Sequence, residues 1–339
     1  MASFSKFGND LYTGARSFDI VGRRKLWYLI SGLLLLIVIV VPIARGGFVF
    51  GIEFLGGSQF QISDTSNTNQ TFAQDTVNEA APGKNPRVTV VGSDSVRIQT
   101  DQLTSNQSVE VKDALAKAYD IPSKQVTASF IGATWGQDIT RQAITGLVIF
   151  VVLAAIVMAL YFRTWKMSVA ALVALLHDLV ITAGVYGVFG IEVTPAAVIG
   201  FLTILGYSLY DTVVVFDKIR ENTSEEGEMV RRTFAESVNL AVNQTLVRSI
   251  NTSIVAILPV GSILFIGAVL LGAGTLRDIS LALFIGIIVG TYSTIFIAAP
   301  LYAQLRSTEP AVKKRDKRVL AVRAASADRA SIAEASLTE

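Results

Sequence analysis

Cysteine is absent from this 339-residue chain, and histidine occurs once, as His177. The first absence excludes disulfides, thiolate metal sites and cysteine nucleophiles. The second excludes a histidine-cluster metal centre. Charge is scarce as well: Asp, Glu, Lys and Arg make up 17% of residues against 51% hydrophobic ones, too apolar a balance for an ordinary water-soluble protein. The formal net charge of +2 says little, because the placement of charge matters more than its sum.

What the chain has instead is apolar length. A bilayer-spanning helix needs about 20 predominantly apolar residues, and six runs qualify: 26–44, 142–162, 167–191, 193–216, 249–276 and 279–305. The first is longer than a signal-peptide core, has no small-residue cleavage site and leaves through Pro42 and Arg45, so it reads as a retained helix. Lys6, Arg16, Arg23, Arg24 and Lys25 precede it. Arg163 and Lys166 join helices two and three, and Lys218, Arg220, Arg231 and Arg232 lie between four and five. Arg306, Lys313, Lys314, Arg315, Lys317 and Arg318 follow the sixth. Six spans put all four clusters on one side, and the short loops opposite hold only Arg45 and Arg277. The positive-inside rule then predicts cytoplasmic termini and an outside segment between helices one and two.

The expected organisation is a cytoplasmic segment 1–25, a first span 26–45, an extracytoplasmic domain 46–140, a five-helix bundle 141–305 with a cytoplasmic loop 217–247, and a basic tail 306–339. Within the outside segment, the run from Gly51 to Ile62 ends in strand-like alternation. Residues 71–81 read as a short helix stopped by Pro82 and Gly83, and 87–91 and 95–100 as strands joined by Gly92, Ser93 and Asp94. Residues 105–119 are amphipathic, with Val109, Ala114, Leu115 and Ala118 near helical spacing and Pro122 beyond, and 125–131 is a last strand. The order β-α-β-β-α-β predicts a ferredoxin-like α+β domain. It carries no nucleophile–base pair and no phosphate loop, so it reads as a docking module, and the chain as no enzyme.

Chemistry is expected in the membrane, where a charge at a helix centre costs about 2.5–3.5 kcal/mol and needs a partner or water. Asp211 is the sharpest candidate, because Thr203, Tyr207 and Asp211 recur at i, i+4 and i+8 on helix four. It is either a carboxyl that exchanges a proton or cation, or a cap near the cytoplasmic helix end, where Asp217 and Lys218 follow. Arg248 opens helix five among Gln244, Thr245, Asn251 and Thr252. It is either a partner for Asp211 or an arginine reaching the interface. His177 and Asp178 are neighbours on helix three and point about 100° apart, so they are not expected to line one cavity wall together. Both are accessory polar residues, with Asp178 joining the polar cluster and His177 serving either a relay or a structural hydrogen bond.

Gly286 and Gly290 on helix six have the spacing that lets helices approach closely, and Gly184, Gly187, Gly200 and Gly206 offer similar notches. Pro259 predicts a kink in helix five. In the loop, Glu225, Glu226, Glu228, Arg231 and Arg232 are followed by Phe234, Val238 and Val242 at i, i+4 and i+8. That pattern is an amphipathic helix, either lying on the membrane surface or continuous with helix five. The tail is basic, then rich in alanine and serine, and is expected to be largely disordered, its basic part near acidic lipid headgroups.

The motifs together resemble the SecF branch of the SecD/SecF family, which is itself similar to RND exporters. The resemblance rests on the Gly51-Ile-Glu-Phe-Leu-Gly-Gly57 run and on Leu176-His-Asp-Leu179. It rests further on the helix-four run from Leu205 to Asn222, on Gln244-Thr-Leu-Val-Arg248, and on the stretch from Gly290 to Pro300. It spans residues 16–306. The chain departs at Glu53, where the family usually has Asp, and at Tyr210, where Asn usually precedes the helix-four Asp.

The resemblance implies a bacterial cell-membrane subunit that joins SecD in a twelve-helix unit beside the SecYEG channel. Such a unit draws on the proton or sodium gradient in late steps of preprotein export, with SecA acting earlier. It implies that Asp211 and Arg248 couple the ion, which is H⁺ or Na⁺. Tyr207, Gln244, Asn251 and Thr252 are accessory polar residues, and neither a cofactor nor a nucleic-acid partner is expected. Two other readings stand beside it: half of an RND-type small-molecule or lipid exporter, and an assembly subunit that transports nothing itself.

Overall fold

The computed structural model describes residues 2–92, 94–162, 164–224, 232–267 and 274–336. Arg163, Glu225, Glu226, Glu228, Arg231 and the middle residue of the expected hairpin turn, Ser93, lie outside them. Helix α1 (Ala2–Thr13) precedes the first long apolar helix α2 (Arg24–Ala44). Then come a single turn α3 (Ile52–Leu55), β1 (Gly57–Ile62), α4 (Gln70–Ala80), β2 (Arg87–Val91), β3 (Ser95–Thr100), α5 (Ser105–Ala118) and β4 (Val126–Ile131). The rest is helical: α6 (Ala133–Phe162), α7 (Trp165–Phe189), α8 (Pro195–Thr223), α9 (Phe234–Ser262), α10 (Gly274–Ser293), α11 (Ala299–Ser307) and α12 (Pro310–Ser336). A π turn, Ile263–Gly267, extends α9, and another, Thr294–Ala298, joins α10 to α11. Six of these helical segments are long and apolar enough to cross a bilayer, so the chain is a multi-pass membrane protein.

The inserted domain has the expected β-α-β-β-α-β order. Its four strands lie β2-β3-β1-β4, every pair antiparallel, and Phe60 stands opposite both Ile98 and Ala128. Alternation along β1 and β3 turns Phe60, Ile62, Val96 and Ile98 to one face. There they meet Ala73 and Val77 of α4 and Val111 and Leu115 of α5, which gives the domain its own core. Asn69 caps α4 by accepting from Thr71 N at 3.0 Å, and Thr104 forms a capping box with Gln107 at the start of α5. The entry is tied to the bundle by backbone: Val193 N donates to Val49 O at 2.7 Å and Gly51 N to Val193 O at 3.0 Å. Gly56, at φ +77°, makes the turn from α3 into β1 without the strain a side chain would add.

Of the six spans, Trp165–Phe189, Pro195–Thr223 and Gly274–Ser307 are the most buried. Glycines set their spacing. A side chain at Gly184 would collide with Val38 of α2, one at Gly187 with Pro42, one at Gly200 with Ala282, and one at Gly286 with Ile204. Gly290 leaves room for Ser208 and Asp178. Gly206 meets nothing within 4 Å, so it is not one of the packing notches.

Two expected borders move, and the structure decides between the two readings of the amphipathic stretch. Helix four runs on to Thr223, and helix five begins at Phe234, so most of the supposed loop 217–247 is helix. The amphipathic stretch is continuous with α9: Phe234, Val238 and Val242 are buried against the bundle, and Thr233 and Glu236 form a capping box. Among the described residues helix six is already formed at Gly274, ahead of the expected 279. Apolar length marks where a helix enters hydrocarbon, whereas caps decide where it ends.

The tail, too, is not structureless, because it forms α12. Val312 and Val319, one heptad apart, are buried. Asp316 accepts from Phe234 N at 2.8 Å, Arg315 donates to Ser237 at 3.1 Å, and Arg323 bonds Glu236 at 2.6 Å. Alanine-rich sequence is strongly helix-forming once one face finds a partner.

Candidate functional site

The polar interior of the bundle is built from short side chains on α7, α8, α9 and α10. Asp211 is 4% exposed. Its Oδ1 accepts from Ser249 Oγ of α9 at 2.9 Å, and its Oδ2 has no hydrogen-bond partner among the described residues. The next residue, Thr212, bonds Thr294 at 2.9 Å, inside the π turn after α10. One turn back, the Tyr207 hydroxyl donates to Ser253 at 3.2 Å, and Ser253 in turn meets Thr291 at 2.5 Å. Around Asp211 the helices are therefore joined by hydroxyl groups, which can accept, donate and reorient. Thr203 closes on its own helix at Ile199 O and is exposed, so the expected stripe is buried only at its Asp211 end.

Arg248 does not pair with Asp211. Ser249 takes the position facing the carboxylate, and Arg248, one residue earlier and about 100° round the helix, faces outward. It is exposed, and its closest polar partner is the hydroxyl of Tyr210 at 3.5 Å. Gln244 accepts from Asn222 at 2.8 Å and donates to the Tyr12 carbonyl at 3.0 Å, which ties α9 to the end of α8 and to α1. Thr252 bonds back to Arg248 O at 2.8 Å, and Asn251 is exposed.

His177 and Asp178 form a second centre in which the two side chains do meet. His177 Nδ1 lies 3.3 Å from Asp178 Oδ1, and both are buried. Helical rotation separates the Cα–Cβ directions, yet two flexible side chains folding toward each other close the gap. Ser31 of α2 lies 2.5 Å from His177 Nε2, and Ser208 of α8 donates to Asp178 Oδ2. Sequence reasoning did not single out Ser31, Ser208, Ser249 or Thr294. A signal existed for Ser31, the one serine inside an otherwise apolar span. Ser249 follows Arg248 directly, and an uncharged hydroxyl carries no comparable cost in an apolar helix.

Where the inserted domain meets the bundle, Glu192 lies half-buried between α7 and α8. Burial raises its carboxyl above the usual range. A bond from Gln99 opposes this, Glu53 adds to it, Arg97 opposes it and Asp278 adds to it. No group of three or more potential metal-ligating residues occurs among the described residues.

Fold and site define a multi-pass α-helical membrane protein with an inserted α+β domain and titratable groups sealed inside its bundle. Residues 110–308 match the family model for the C-terminal part of the protein export membrane proteins SecD and SecF. The chain is 46% identical over 340 residues to the protein translocase subunit SecF of Streptomyces coelicolor, covering 100% of this chain and 90% of that one. It is 45% identical to the protein of the same name from Mycobacterium tuberculosis, over 93% of this chain and 73% of that one. The crystal structure of SecDF, a translocon-associated membrane protein from Thermus thermophilus, is similar with a TM-score of 0.76 and 30% identity. That similarity covers 86% of this chain and 39% of the SecDF chain, so the protein spans well under half of it. The chain belongs to the SecD/SecF family.

Proposed function

We propose that this protein is the SecF-type half of an ion-gradient-driven export unit in the bacterial cell membrane. The observation that carries the reading is the carboxyl of Asp211, buried at 4% exposure with one oxygen unpartnered, in a chain of this family. Such a group holds a proton, or passes it on, at little structural cost, because hydroxyls rather than a fixed cation surround it. The coupling ion is H⁺ or Na⁺. Only a change that stabilises one packing of the bundle over another does work. The Ser249 bond and the free oxygen give charged and neutral Asp211 different needs. Each proton crossing the whole potential releases about 2.3 kcal/mol per 100 mV.

A SecD-type chain supplies the other half. Two observations support this: the relative SecDF is a single chain of which this protein spans 39%, and Tyr210 and Arg248 are polar side chains exposed on the bundle surface. Exposed at membrane depth, an arginine calls for a protein partner or water, and a second bundle provides both. In this arrangement Arg248 acts on the ion path from the interface. The unit serves preproteins leaving the SecYEG channel after SecA, with the inserted domain outside and both termini in the cytoplasm, as the lysine and arginine distribution supports.

The test is preprotein export into membrane vesicles with and without an imposed proton gradient, comparing wild type with Asp211→Asn at equal expression and partner assembly. The gradient-dependent component is expected to vanish. If Asp211→Asn keeps it in full, Asp211 is structural and the assembly-subunit reading replaces this one.

A further inference from the structure

The second polar centre, His177 with Asp178, is not used by the function proposed above, yet it occupies the junction of three helices. Its links run in one line. Ser208 of α8 donates to Asp178 Oδ2, Asp178 Oδ1 faces His177 Nδ1 at 3.3 Å, and His177 Nε2 meets Ser31 of α2 at 2.5 Å. At one end, α8 carries Asp211 three residues after Ser208. At the other, α2 leads through the isolated bridge between Phe50 and Val193 into the inserted domain. We propose that Ser208, Asp178, His177 and Ser31 form a coupling relay in which a proton held between Asp178 and His177 changes sides as α8 moves, so that α2 and the inserted domain follow the state of Asp211.

The chemistry that permits this is local. Asp178 is 0% exposed and His177 is its sole ion-pair partner among the described residues. On α2 the titratable side chain one turn from Ser31 is Tyr28, and on α8 Tyr207, Tyr210 and Asp211 lie within three residues of Ser208. On α10 the Tyr292 ring lies 6.3 Å from the imidazole, and a side chain at Gly290 would stand 3.6 Å from Asp178 Oδ2. A net charge in such a site is expensive. The pair therefore holds one proton in total, either as carboxylate with imidazolium or as carboxyl with neutral imidazole. The two states have equal charge and exchange by moving one proton between Nδ1 and Oδ1, with nothing taken up or released. Ser208 selects between them. Its hydroxyl donates to Oδ2 and so favours the carboxylate–imidazolium form; when α8 withdraws it, the proton returns to the carboxyl. In both forms Nε2–H donates to Ser31, but an imidazolium donates more strongly, which tightens α2 against α7.

These four are positioning residues, and the link to export rests on the function proposed above; the proton shift itself does not. It is read on the purified full-length chain in lipid bilayers, without any export assay, so the two ideas fail separately. His177 is the single histidine of the chain. Its ¹⁵N-imidazole signals therefore report one site, and they distinguish imidazolium from neutral imidazole. Wild type is expected to show imidazolium. Ser208→Ala should lower the ratio of imidazolium to neutral imidazole about tenfold, the scale of one charge-assisted hydrogen bond, and Ser208→Thr, which keeps the hydroxyl, should restore it. Asp211→Asn should also shift the share. A neutral imidazole in wild type, or an imidazolium indifferent to Ser208→Ala, overturns the relay. Indifference to Asp211→Asn alone overturns its link to the state of Asp211. The lack of native cysteine allows spin labels at Ile43→Cys and Phe189→Cys, both lipid-exposed. Their separation should differ between wild type and Ser208→Ala, and equal separations overturn the α2 arm.

Discussion

Ser249 offers the sharpest test of whether Asp211 titrates. Its hydroxyl stands 2.9 Å from Oδ1 and is the one side-chain hydrogen bond the carboxyl makes among the described residues. Ser249→Ala deletes that bond and little else, since Ser249 is a small, 1%-exposed side chain between helices. The value of the bond depends on its acceptor. A hydrogen bond to a charged group is worth about 1.5–3 kcal/mol, whereas neutral interhelical bonds in membranes average about 0.6 kcal/mol. A double-mutant cycle of Ser249→Ala with Asp211→Ala, read as unfolding free energy in bicelles, isolates this pair. The coupling energy is expected to be near the lower figure in acid, where the carboxyl is neutral. It should rise by about 1–2 kcal/mol as pH is raised and the carboxylate forms. A coupling that stays the same across the whole range means that Asp211 never changes charge, and the reasoning from its burial falls. A coupling below about 0.3 kcal/mol throughout means that the hydroxyl and the carboxyl do not interact.

Two further predictions concern how the parts are joined. Gly184→Leu drives a side chain into Val38 and is expected to cost about 1–3 kcal/mol, seen as a lower unfolding midpoint, while Gly206→Leu, facing open space, leaves the midpoint unchanged or higher; equal losses would refute the packing account. For Glu192, whose carboxyl is raised chiefly by burial, the folded protein binds the proton more tightly than the unfolded chain. Stability contributed there is therefore present in acid and falls as pH rises above the ordinary carboxylate range. Glu192→Gln should flatten that part of the melting temperature against pH, and an unaltered slope would show that the group does not titrate on folding.

Much of this molecule was legible in its sequence, because the properties involved are one-dimensional. Six apolar runs define six spans wherever they fold, since hydrocarbon accepts only backbone that satisfies its own hydrogen bonds. The period-2 and period-3.6 patterns between Gly57 and Ile131 predicted strands and helices close to their final bounds, as each element is selected by its own buried face. Asp211 stood out because a carboxylate in an apolar helix is costly enough to need a reason.

What the sequence left open is where neighbouring helices point their small polar groups. Arg248 reads either as a partner for Asp211 or as an arginine reaching the interface; helical phase gives the place at Asp211 to Ser249, and one residue of rotation separates the two outcomes. His177 and Asp178 read as diverging, and only the approach of α2 and α8, permitted by Gly184 and Gly290, closes them into a chain with Ser31 and Ser208. The tail read as polar and loose until a face of α9 was there to bury Val312 and Val319. Propensity and hydropathy act residue by residue, so a sequence carries them openly. Hydrogen bonds between helices depend on the relative rotation of two rods to within a fraction of a turn, and that quantity exists only once the bundle has packed.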